Sequence, residues 1–358
     1  MTRIVVIGGG IAGVSAAARL STDADVTLLE GETALAYHAS GRSAALIEEN
    51  YGAPSVQALN RASVEYLAHD NGGVLSPRGL MIVAREHEKE ALRADIATLG
   101  LSAISVAEAA AMVPILKTDD IRYAAYHADA QDIDTDKLLQ GFARQVRQNG
   151  GTLLTGQKVR AITRDNGGWQ VFTDTADYRC DLLVNAAGAW ADEIARCAGI
   201  APMGIIPYRR SMARIAAPGG HDVGTWPLFF GVGESWYAKP DAGALLVSPA
   251  DEDPVAPHDA WADDMTLAEG LARYQEVVTE EVTRPLATWA GLRSFAPDRT
   301  LVLGPEPGAP SFIWCAGQGG YGFQTAPAAS QLLAGLVFDR APGLPAEVVD
   351  ALKPDRLR

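Results

Sequence analysis

The first thirty residues place two short apolar runs around one helical pattern. Residues 3–8 form an apolar run too short for a helix, which predicts a parallel strand buried on both faces. A glycine-rich turn follows, then a helical pattern over residues 12–20 and a second apolar run over residues 26–30 that ends in an acid. This order predicts a βαβ unit.

The middle of the chain mixes helical and extended patterns. Residues 79–84 predict a strand, and residues 86–99 predict a charged amphipathic helix. Asp134 is suited to cap the start of a helix that reaches Asn149, where two glycines end it. Four short strands are predicted after that helix, at about 152–155, 158–164, 168–173 and 181–185.

The last part of the chain changes pattern twice. Residues 205–250 and 284–296 predict strands of a mostly antiparallel sheet, with a helix near residues 265–278 between them. From Leu301 the order is strand, glycine loop and long helix, so α/β elements lie at both chain ends and in the middle. This arrangement predicts two interleaved domains. The predicted bounds are 1–73, 130–204 and 297–358 for the first domain, and 74–129 and 205–296 for the second.

Charge and cysteine content exclude several classes of protein. The 358 residues carry 44 acidic and 30 basic side chains, a net charge of −14, which argues against nucleic-acid binding. The three cysteines form no C-x-x-C pair, so we expect no disulfide framework, no metal site and a cytoplasmic location. Residues 307–338 carry no charge, but prolines and glycines interrupt them. We therefore expect no membrane-spanning helix, and no secretory signal.

The turn after the first strand matches a dinucleotide-binding motif. Gly8, Gly10 and Gly13 follow the G-x-G-x-x-G spacing between the predicted strand and helix. The first glycine permits the tight turn, the second lets backbone approach a pyrophosphate, and the third allows close helix packing. Glu30, at the end of the second strand, would accept hydrogen bonds from ribose hydroxyls. The sequence thus predicts an α/β fold: a Rossmann-like domain interleaved with an α+β substrate domain on a mostly antiparallel sheet.

Small residues in two later segments favour FAD over NAD. Residues 37–45 include Arg42, Ser43 and Ala44, which would line an extended cofactor and leave room for a flat ring. Residues 185–190 repeat the small-residue pattern where a later strand meets its helix. Each segment alone is also typical of a close-packed turn, but together they indicate FAD.

A second glycine loop lies near the end of the chain. Residues 317–322 precede a helix predicted to begin near Gln324 or Thr325. The positive end of that helix would favour the negative charge of a reduced flavin ring. One glycine loop is therefore expected at the phosphates and the other at the ring.

In these motifs the chain resembles the D-amino-acid oxidase family of flavoproteins, and within it the bacterial D-arginine dehydrogenases. The resemblance runs nearly end to end. The motifs that carry it are Tyr37-His38, Gly41-Arg-Ser-Ala-Ala45, Tyr51-Gly52, Asp132-Ile-Asp-Thr-Asp136, Asn185-Ala-Ala-Gly-Ala-Trp190, Arg209-Arg-Ser211, Glu234-Ser-Trp-Tyr237, Lys239-Pro-Asp-Ala-Gly243, Trp289-Ala-Gly-Leu-Arg-Ser-Phe295 and Gln318-Gly-Gly-Tyr-Gly322.

The resemblance implies a set of catalytic and cofactor-binding residues. Arg210, Arg293, Tyr51 and Tyr237 would surround the substrate carboxylate, and the Gly320 carbonyl would receive the substrate amine. Forked guanidinium donors suit a carboxylate, although an internal ion pair is the other interpretation of each arginine. With the motifs above, the implied FAD site comprises Gly8, Gly10, Ala12, Gly13, Glu30, Gly41, Arg42, Ser43, Ala44, Val159, Ala187, Gly188, Gly319, Gly320, Tyr321, Gly322 and Gln324.

The side-chain pocket departs from that of the D-arginine dehydrogenases. The positions implied to line it are Leu46, Glu48, Leu80, Leu228 and Phe230. Leu46 and Leu80 replace a histidine and a glutamate, which favours uncharged or apolar substrates. Glu48 either restores a carboxylate for a cationic side chain or turns to solvent. Since Glu49 and Asn50 follow it, we expect an exposed loop.

The implied reaction is FAD-dependent oxidative deamination of a D-amino acid, a small-molecule substrate. The neutral amine would give a hydride from Cα to flavin N5, and water would convert the imino acid to a 2-oxo acid and ammonia. No protein general base is assigned, and His38 is expected to be a packed structural histidine. The alternatives are a glycine- or sarcosine-type amine oxidase, a 2-hydroxy-acid dehydrogenase, and a nucleotide-binding regulatory protein without turnover. The electron acceptor stays open between a quinone, an electron carrier and O2.

Overall fold

The computed structural model describes residues 1–165, 167–341 and 343–358. Its strands are β1 Arg3–Ile7, β2 Asp25–Leu29, β3 Leu46–Ile47, β4 Leu75–Pro77, β5 Leu80–Ala84, β6 Ser102–Ile104, β7 Tyr123–His127, β8 Gln131–Ile133, β9 Thr152–Leu154, β10 Val159–Asp165, β11 Gly168–Thr173, β12 Asp177–Cys180, β13 Leu182–Asn185, β14 Ile206–Ala216, β15 Leu228–Gly231, β16 Tyr237–Asp241, β17 Ala244–Ser248, β18 Asp253–Pro254, β19 Ala287–Phe295, β20 Val302–Glu306 and β21 Ala309–Ala316. Its α-helices are α1 Ile11–Leu20, α2 Pro54–His69, α3 Lys89–Leu99, α4 Val106–Met112, α5 Thr135–Gln148, α6 Ala191–Cys197, α7 Asp264–Gln275, α8 Gly322–Val337 and α9 Ala346–Asp350.

The first large sheet is mostly parallel and has the order β20-β21-β13-β1-β2-β9. β1 lies between β2 and β13 and runs parallel to both, as its apolar sequence predicted. Helix α1 packs against both α5 and α8 beside this sheet, around fully buried side chains such as Val6, Val14 and Leu332. The predicted βαβ unit is confirmed, with α1 beginning one residue earlier than expected.

The second large sheet is mostly antiparallel and is built from β18, β14, β17, β16, β15, β5, β7 and β6, with β19 also paired to β14. Its one parallel pair among the described strands is β5 with β15. One face packs on a core that includes Met81, Phe229 and Tyr274, and α7 covers part of β17. The other face carries Leu80, Ile82 and Phe230. The α/β plus α+β architecture is thus confirmed, and the domain bounds given above stay a prediction.

Several local predictions need correction. Residues 152–185 form five strands rather than four, because residues 177–180 add an antiparallel partner to β11. Residues 86–99 begin with a 3-10 turn before α3, and α8 begins at Gly322 rather than near Gln324. The small sheet β3-β8-β4 was not predicted, because strands of two or three residues show no alternation. Asp134 caps α5 as predicted, since its side chain accepts the Lys137 N–H at 2.9 Å.

Across the described ranges, the helices are too short or too polar to cross a bilayer.

Candidate active site

The glycine turn after β1 is sterically required. Gly8 has φ of +112°, and a Cβ placed on it would lie 2.3 Å from the Ala186 carbonyl oxygen. A Cβ on Gly13 would lie 1.9 Å from the Gly8 oxygen. Gly10 precedes α1 and provides no side-chain cap, and the Ile11 N–H donates to Ser40 Oγ at 3.0 Å, so an anion would meet the later N–H groups of the first helical turn. The turn has the form that a pyrophosphate needs.

Two adjoining cavities extend from this turn and form one elongated cleft. They measure about 260 and 280 Å³ and share wall residues that include Gly10, Ser40, Arg42 and Gly188. The cavity nearer the second sheet takes in the predicted residues Gly10, Ala12, Arg42, Ser43, Ala44, Gly188, Gly319, Gly320, Gly322 and Gln324. The other takes in Gly8, Gly10, Glu30, Arg42, Val159, Ala187 and Gly188. The length and small-residue lining of the cleft fit a dinucleotide.

Three predicted cofactor residues, Gly13, Gly41 and Tyr321, line neither cavity and shape the surrounding structure instead. Gly13 packs α1 against β1, as described above. A Cβ on Gly41 would lie 2.3 Å from the Ala36 oxygen, so Gly41 allows a tight turn. Tyr321 precedes α8, and its ring packs edge-on against Tyr51 at 5.5 Å.

The side chains of Glu30 and Arg42 are already engaged with the protein. Glu30 accepts the Gly9 N–H at 2.6 Å and the Glu32 N–H at 2.8 Å, which fixes its carboxylate at the wall of the cleft. Arg42 donates to the carbonyls of Ala260 and Ala290 and pairs with Asp259, and the Arg42 hydrogen bond lowers the pKa of that aspartate. Contact of either residue with FAD stays a prediction.

The backbone of residues 44–45 is held by a buried lysine. Lys239 donates to the Ala45 carbonyl at 3.1 Å and pairs with Asp132 at 2.9 Å. This contact ties the small-residue segment at the cavity wall to β16 of the second sheet. His38, as expected, is a packed residue: it lies 3.0 Å from Glu32 and its ring contacts Trp190.

Arg210 and Arg293 project into the cavity from paired strands. Arg293 on β19 pairs in register with Tyr208 on β14, two residues from Arg210, so both arginines lie on one face of the sheet. Arg210 is only 8% exposed, and its Nε and Nη1 atoms have no hydrogen-bond partner among the described residues. Burial and the nearby Arg293 lower the pKa of Arg210. The two guanidinium groups are therefore neighbours in the cavity, and a bound anion would stabilise both of them.

The second guanidinium lies beside one carboxylate, Glu234, and two tyrosine hydroxyls. Burial alone would lower the pKa of Arg293, but Tyr51, Tyr237 and Glu234 outweigh that effect and raise it. The Tyr51 hydroxyl donates to Glu234 Oε2 at 3.1 Å, and burial raises the pKa of that hydroxyl. Both tyrosines line the same cavity as the arginines, as predicted.

The second glycine loop lies directly on Arg293. A Cβ on Gly320 would lie 3.1 Å from Arg293 Cζ, and one on Gly319 would lie 2.2 Å from the Phe295 ring. The Gly319 N–H also donates to the Ser294 carbonyl at 2.8 Å. Only glycines allow the loop to approach β19 this closely, so the loop brings α8 and the arginines together.

The predicted side-chain pocket forms one wall of the cavity. Leu228, Leu80 and His127 stand opposite one another on β15, β5 and β7, so their side chains share one face of the sheet. Phe230 occupies the same face two residues along β15, and Leu46 closes the wall from β3. All four predicted apolar positions line the cavity.

The prediction that Glu48 lies in an exposed loop is wrong. Glu48 is 6% exposed, whereas its neighbour Glu49 is exposed. Its Oε2 lies 2.6 Å from His127 Nε2, and its Oε1 accepts the Asn50 N–H at 3.0 Å. Its own N–H donates to Gln324 Oε1 at 3.1 Å. Packing against α2 and α8 buries Glu48, and a polar neighbour in sequence does not reveal that.

Sequence reasoning missed His127, Glu234 and Met212. His127 lies 79 positions from Glu48, and no local pattern links the two. Glu234 belongs to a motif quoted above, and an acid before an aromatic pair was a usable signal. The Tyr237 hydroxyl contacts Met212 Sδ at 3.2 Å, and that methionine lines the cavity beside Arg210.

A Rossmann-like turn, an elongated cleft and an anion site at its end define a dinucleotide-dependent oxidoreductase. The chain belongs to the DAO family, FAD dependent oxidoreductases, whose family model matches residues 3–336. FAD is therefore the cofactor, and the residues present fit it. The cleft supplies a glycine turn at a helix N-terminus, a fixed carboxylate at Glu30 and small residues where the ring would lie.

Relatives and solved structures are similar over nearly the whole chain. Glycine oxidase from Pseudomonas aeruginosa is 28% identical over 361 residues, which cover 95% of this chain and 96% of that protein. The structure of L-proline dehydrogenase from P. horikoshii matches with a TM-score of 0.84 at 23% identity, covering 99% and 97% of the two chains. Glycine oxidase from Geobacillus kaustophilus matches with a TM-score of 0.83 at 21% identity, covering 98% of each chain. These structures share the fold.

Proposed function

We propose that the protein oxidises D-amino acids with uncharged side chains, and that water then converts the imino acid to a 2-oxo acid and ammonia. One observation carries the proposal: Arg210 is buried beside Arg293 and leaves two guanidinium nitrogens unpartnered among the described residues. Unpaired buried polar groups are costly, and a second cation nearby adds repulsion. A substrate carboxylate relieves both costs at once.

The clamp orients the substrate by its carboxylate. Arg210 and Arg293 bind the carboxylate through charge-assisted hydrogen bonds, and the Tyr51 and Tyr237 hydroxyls complete its surroundings. The carbonyl of Gly320, in the loop that approaches Arg293, is the proposed acceptor for the substrate N–H. FAD, when bound, supplies the hydride acceptor.

The same residues help to set the protonation state of the substrate. Two cationic guanidinium groups disfavour an ammonium group nearby, so they favour the substrate with a neutral amine. In that form the Cα hydrogen can leave as a hydride. The carboxylate of Glu234 offsets part of that charge, because it lies close enough to act on both guanidinium groups. Positioning and electrostatics then account for the protein's share of catalysis, and we assign no general base.

The lining of the cavity favours substrates with uncharged side chains. Leu46, Leu80, Leu228 and Phe230 present an apolar surface, and the carboxylate of Glu48 is taken up by His127 and the Asn50 N–H. The D configuration rests on the sequence resemblance alone. Oxidation of glycine or N-methylglycine is the second candidate, favoured by the full-length similarity to a glycine oxidase.

Anaerobic bleaching of the bound flavin tests the proposal. Purified protein is mixed without O2 with a panel of D-, L- and N-methyl amino acids, glycine and 2-hydroxy acids. We expect D-leucine or D-phenylalanine to bleach the flavin fastest and D-arginine to do no better. Bleaching led by glycine or N-methylglycine would select the second candidate. Bleaching by 2-hydroxy acids alone would overturn both.

A further inference from the structure

A histidine outside the cavity wall contacts Glu48, the acidic residue among the predicted side-chain positions. His127 Nε2 lies 2.6 Å from Glu48 Oε2, and the two side chains are 14% and 6% exposed. Neither atom has another hydrogen-bond partner among the described residues, so the two groups are paired with each other. Glu48 lines the cavity, whereas His127 stands behind it.

The sheet register fixes His127 in this place. His127 on β7 is directly opposite Leu80 on β5, and Leu80 is opposite Leu228 on β15. These three side chains form a row across the sheet, on the face that bounds the substrate cavity. The imidazole of His127, at the end of this row, therefore lies in contact with Glu48, which follows β3 directly.

Both oxygens of Glu48 are already in contact with groups of the protein. Oε1 accepts the Asn50 N–H, and Oε2 faces His127 with no exposed surface left on that atom. The Gln324 side chain also fixes the Glu48 backbone. A substrate ammonium could reach this carboxylate only by breaking the contact with His127, so the wall offers it no free partner.

We propose that His127 is a specificity-determining residue, which keeps Glu48 from binding cationic side chains and so makes the cavity select uncharged ones. The proposal rests on the proposed function, because it takes the cavity as an amino-acid site. Its physical basis is competition: the imidazole and a ligand ammonium would pair with the same carboxylate oxygen. Without His127, that oxygen would lose its partner at the edge of the cavity.

Two ligands without an α-amino group separate binding from turnover. 4-Methylpentanoate is leucine without that group, and 6-aminohexanoate is lysine without it. Each is titrated into FAD-loaded protein at pH 7, and Kd is read from the perturbation of the flavin spectrum. In the wild type we expect 4-methylpentanoate to bind and 6-aminohexanoate to bind more weakly.

His127→Leu should shift this preference. It removes the imidazole and leaves Glu48 free, so the ratio of the two Kd values should move toward 6-aminohexanoate by about tenfold or more. The double variant Glu48→Gln/His127→Leu should return the ratio to near its wild-type value. Asp129→Asn is the matched control, because Asp129 lies 3.9 Å from the other ring nitrogen but is 95% exposed; the ratio should stay unchanged there.

Two results would overturn the proposal. One is an unchanged ratio in His127→Leu that still holds its full complement of FAD. The other needs no change at His127: Glu48→Gln alone weakening 6-aminohexanoate about tenfold would show that Glu48 already binds the cation. Should His127→Leu fail to fold, the Glu48→Gln titration decides the matter by itself. Binding of neither carboxylate to the wild type would instead refute the proposed function.

Discussion

Replacing Arg293 with methionine removes one half of the proposed carboxylate clamp. Methionine keeps an unbranched apolar side chain and loses the charge and all five donors. Gly320 lies so close to the guanidinium that a Cβ on it would be 3.1 Å from Arg293 Cζ. The methionine side chain still gives this loop a surface to pack against. FAD content should therefore be unchanged.

The expected fall in kcat/KM follows from the hydrogen bonds that the variant loses and from the repulsion between the two arginines that it relieves. Each hydrogen bond to a charged group contributes about 1.5–3 kcal/mol, and a forked guanidinium could form two. Arg210 remains to bind the carboxylate, and its pKa is no longer lowered by a neighbouring cation. A net loss equal to about one such bond corresponds to a roughly ten- to hundredfold fall in kcat/KM.

The assay is steady-state oxidation of D-leucine, with Kd for 4-methylpentanoate as an independent measure of carboxylate binding. Arg299→Met is the matched control, since Arg299 lies over the Phe295 ring at 3.9 Å and pairs with Glu252 outside the cavity. It should keep kcat/KM within about threefold of wild type. Arg293→Met with full FAD and an unchanged kcat/KM would show that Arg293 is structural, and the clamp argument would fail.

Three further predictions concern the cofactor, the glycine loop and His127. FAD should be released completely by acid or heat, because residues 37–45 offer no cysteine for a covalent link; yellow colour in the precipitate would contradict this. Gly320→Ala should displace Arg293 and raise KM more than it lowers kcat, with FAD retained; an unchanged KM would refute the close approach. The contact with Glu48 raises the pKa of His127, so the pair stabilises the fold below pH of about 6.5 and less as pH rises through the folded pKa. Urea unfolding of wild type and His127→Leu should therefore differ by a free energy that shrinks with rising pH; a pH-independent difference would be evidence against the ion pair.

Local patterns predicted the elements that bind the cofactor. The apolar run of β1, the spacing of Gly8 and Gly13 and the cap at Asp134 are all features of neighbouring residues. Each reports the conformation of its own segment, and the segment then folds as the pattern indicates. The small sheet β3-β8-β4 escaped this reasoning because its strands are too short to show a period.

Contacts between distant strands could not be predicted from such local sequence patterns. Arg210 and Arg293 become neighbours only through the pairing of β14 with β19, and the sequence resemblance, not any pattern, brought them together beforehand. Glu48 was misplaced because its exposed neighbour Glu49 was taken to represent the loop. Burial of one residue and exposure of the next is decided by packing partners such as Gln324 and His127.

The most direct test of the proposed function is product analysis of a single anaerobic turnover. FAD-loaded protein is mixed with D-leucine in the absence of O2, and flavin absorbance, ammonia and 4-methyl-2-oxopentanoate are measured together. We expect complete bleaching with one ammonia and one oxo acid formed per FAD, and a rate at least about tenfold lower in Arg293→Met. A flavin that stays yellow with every amino acid, or that bleaches without releasing ammonia, would contradict the assignment of this protein as an amino-acid-oxidising flavoenzyme.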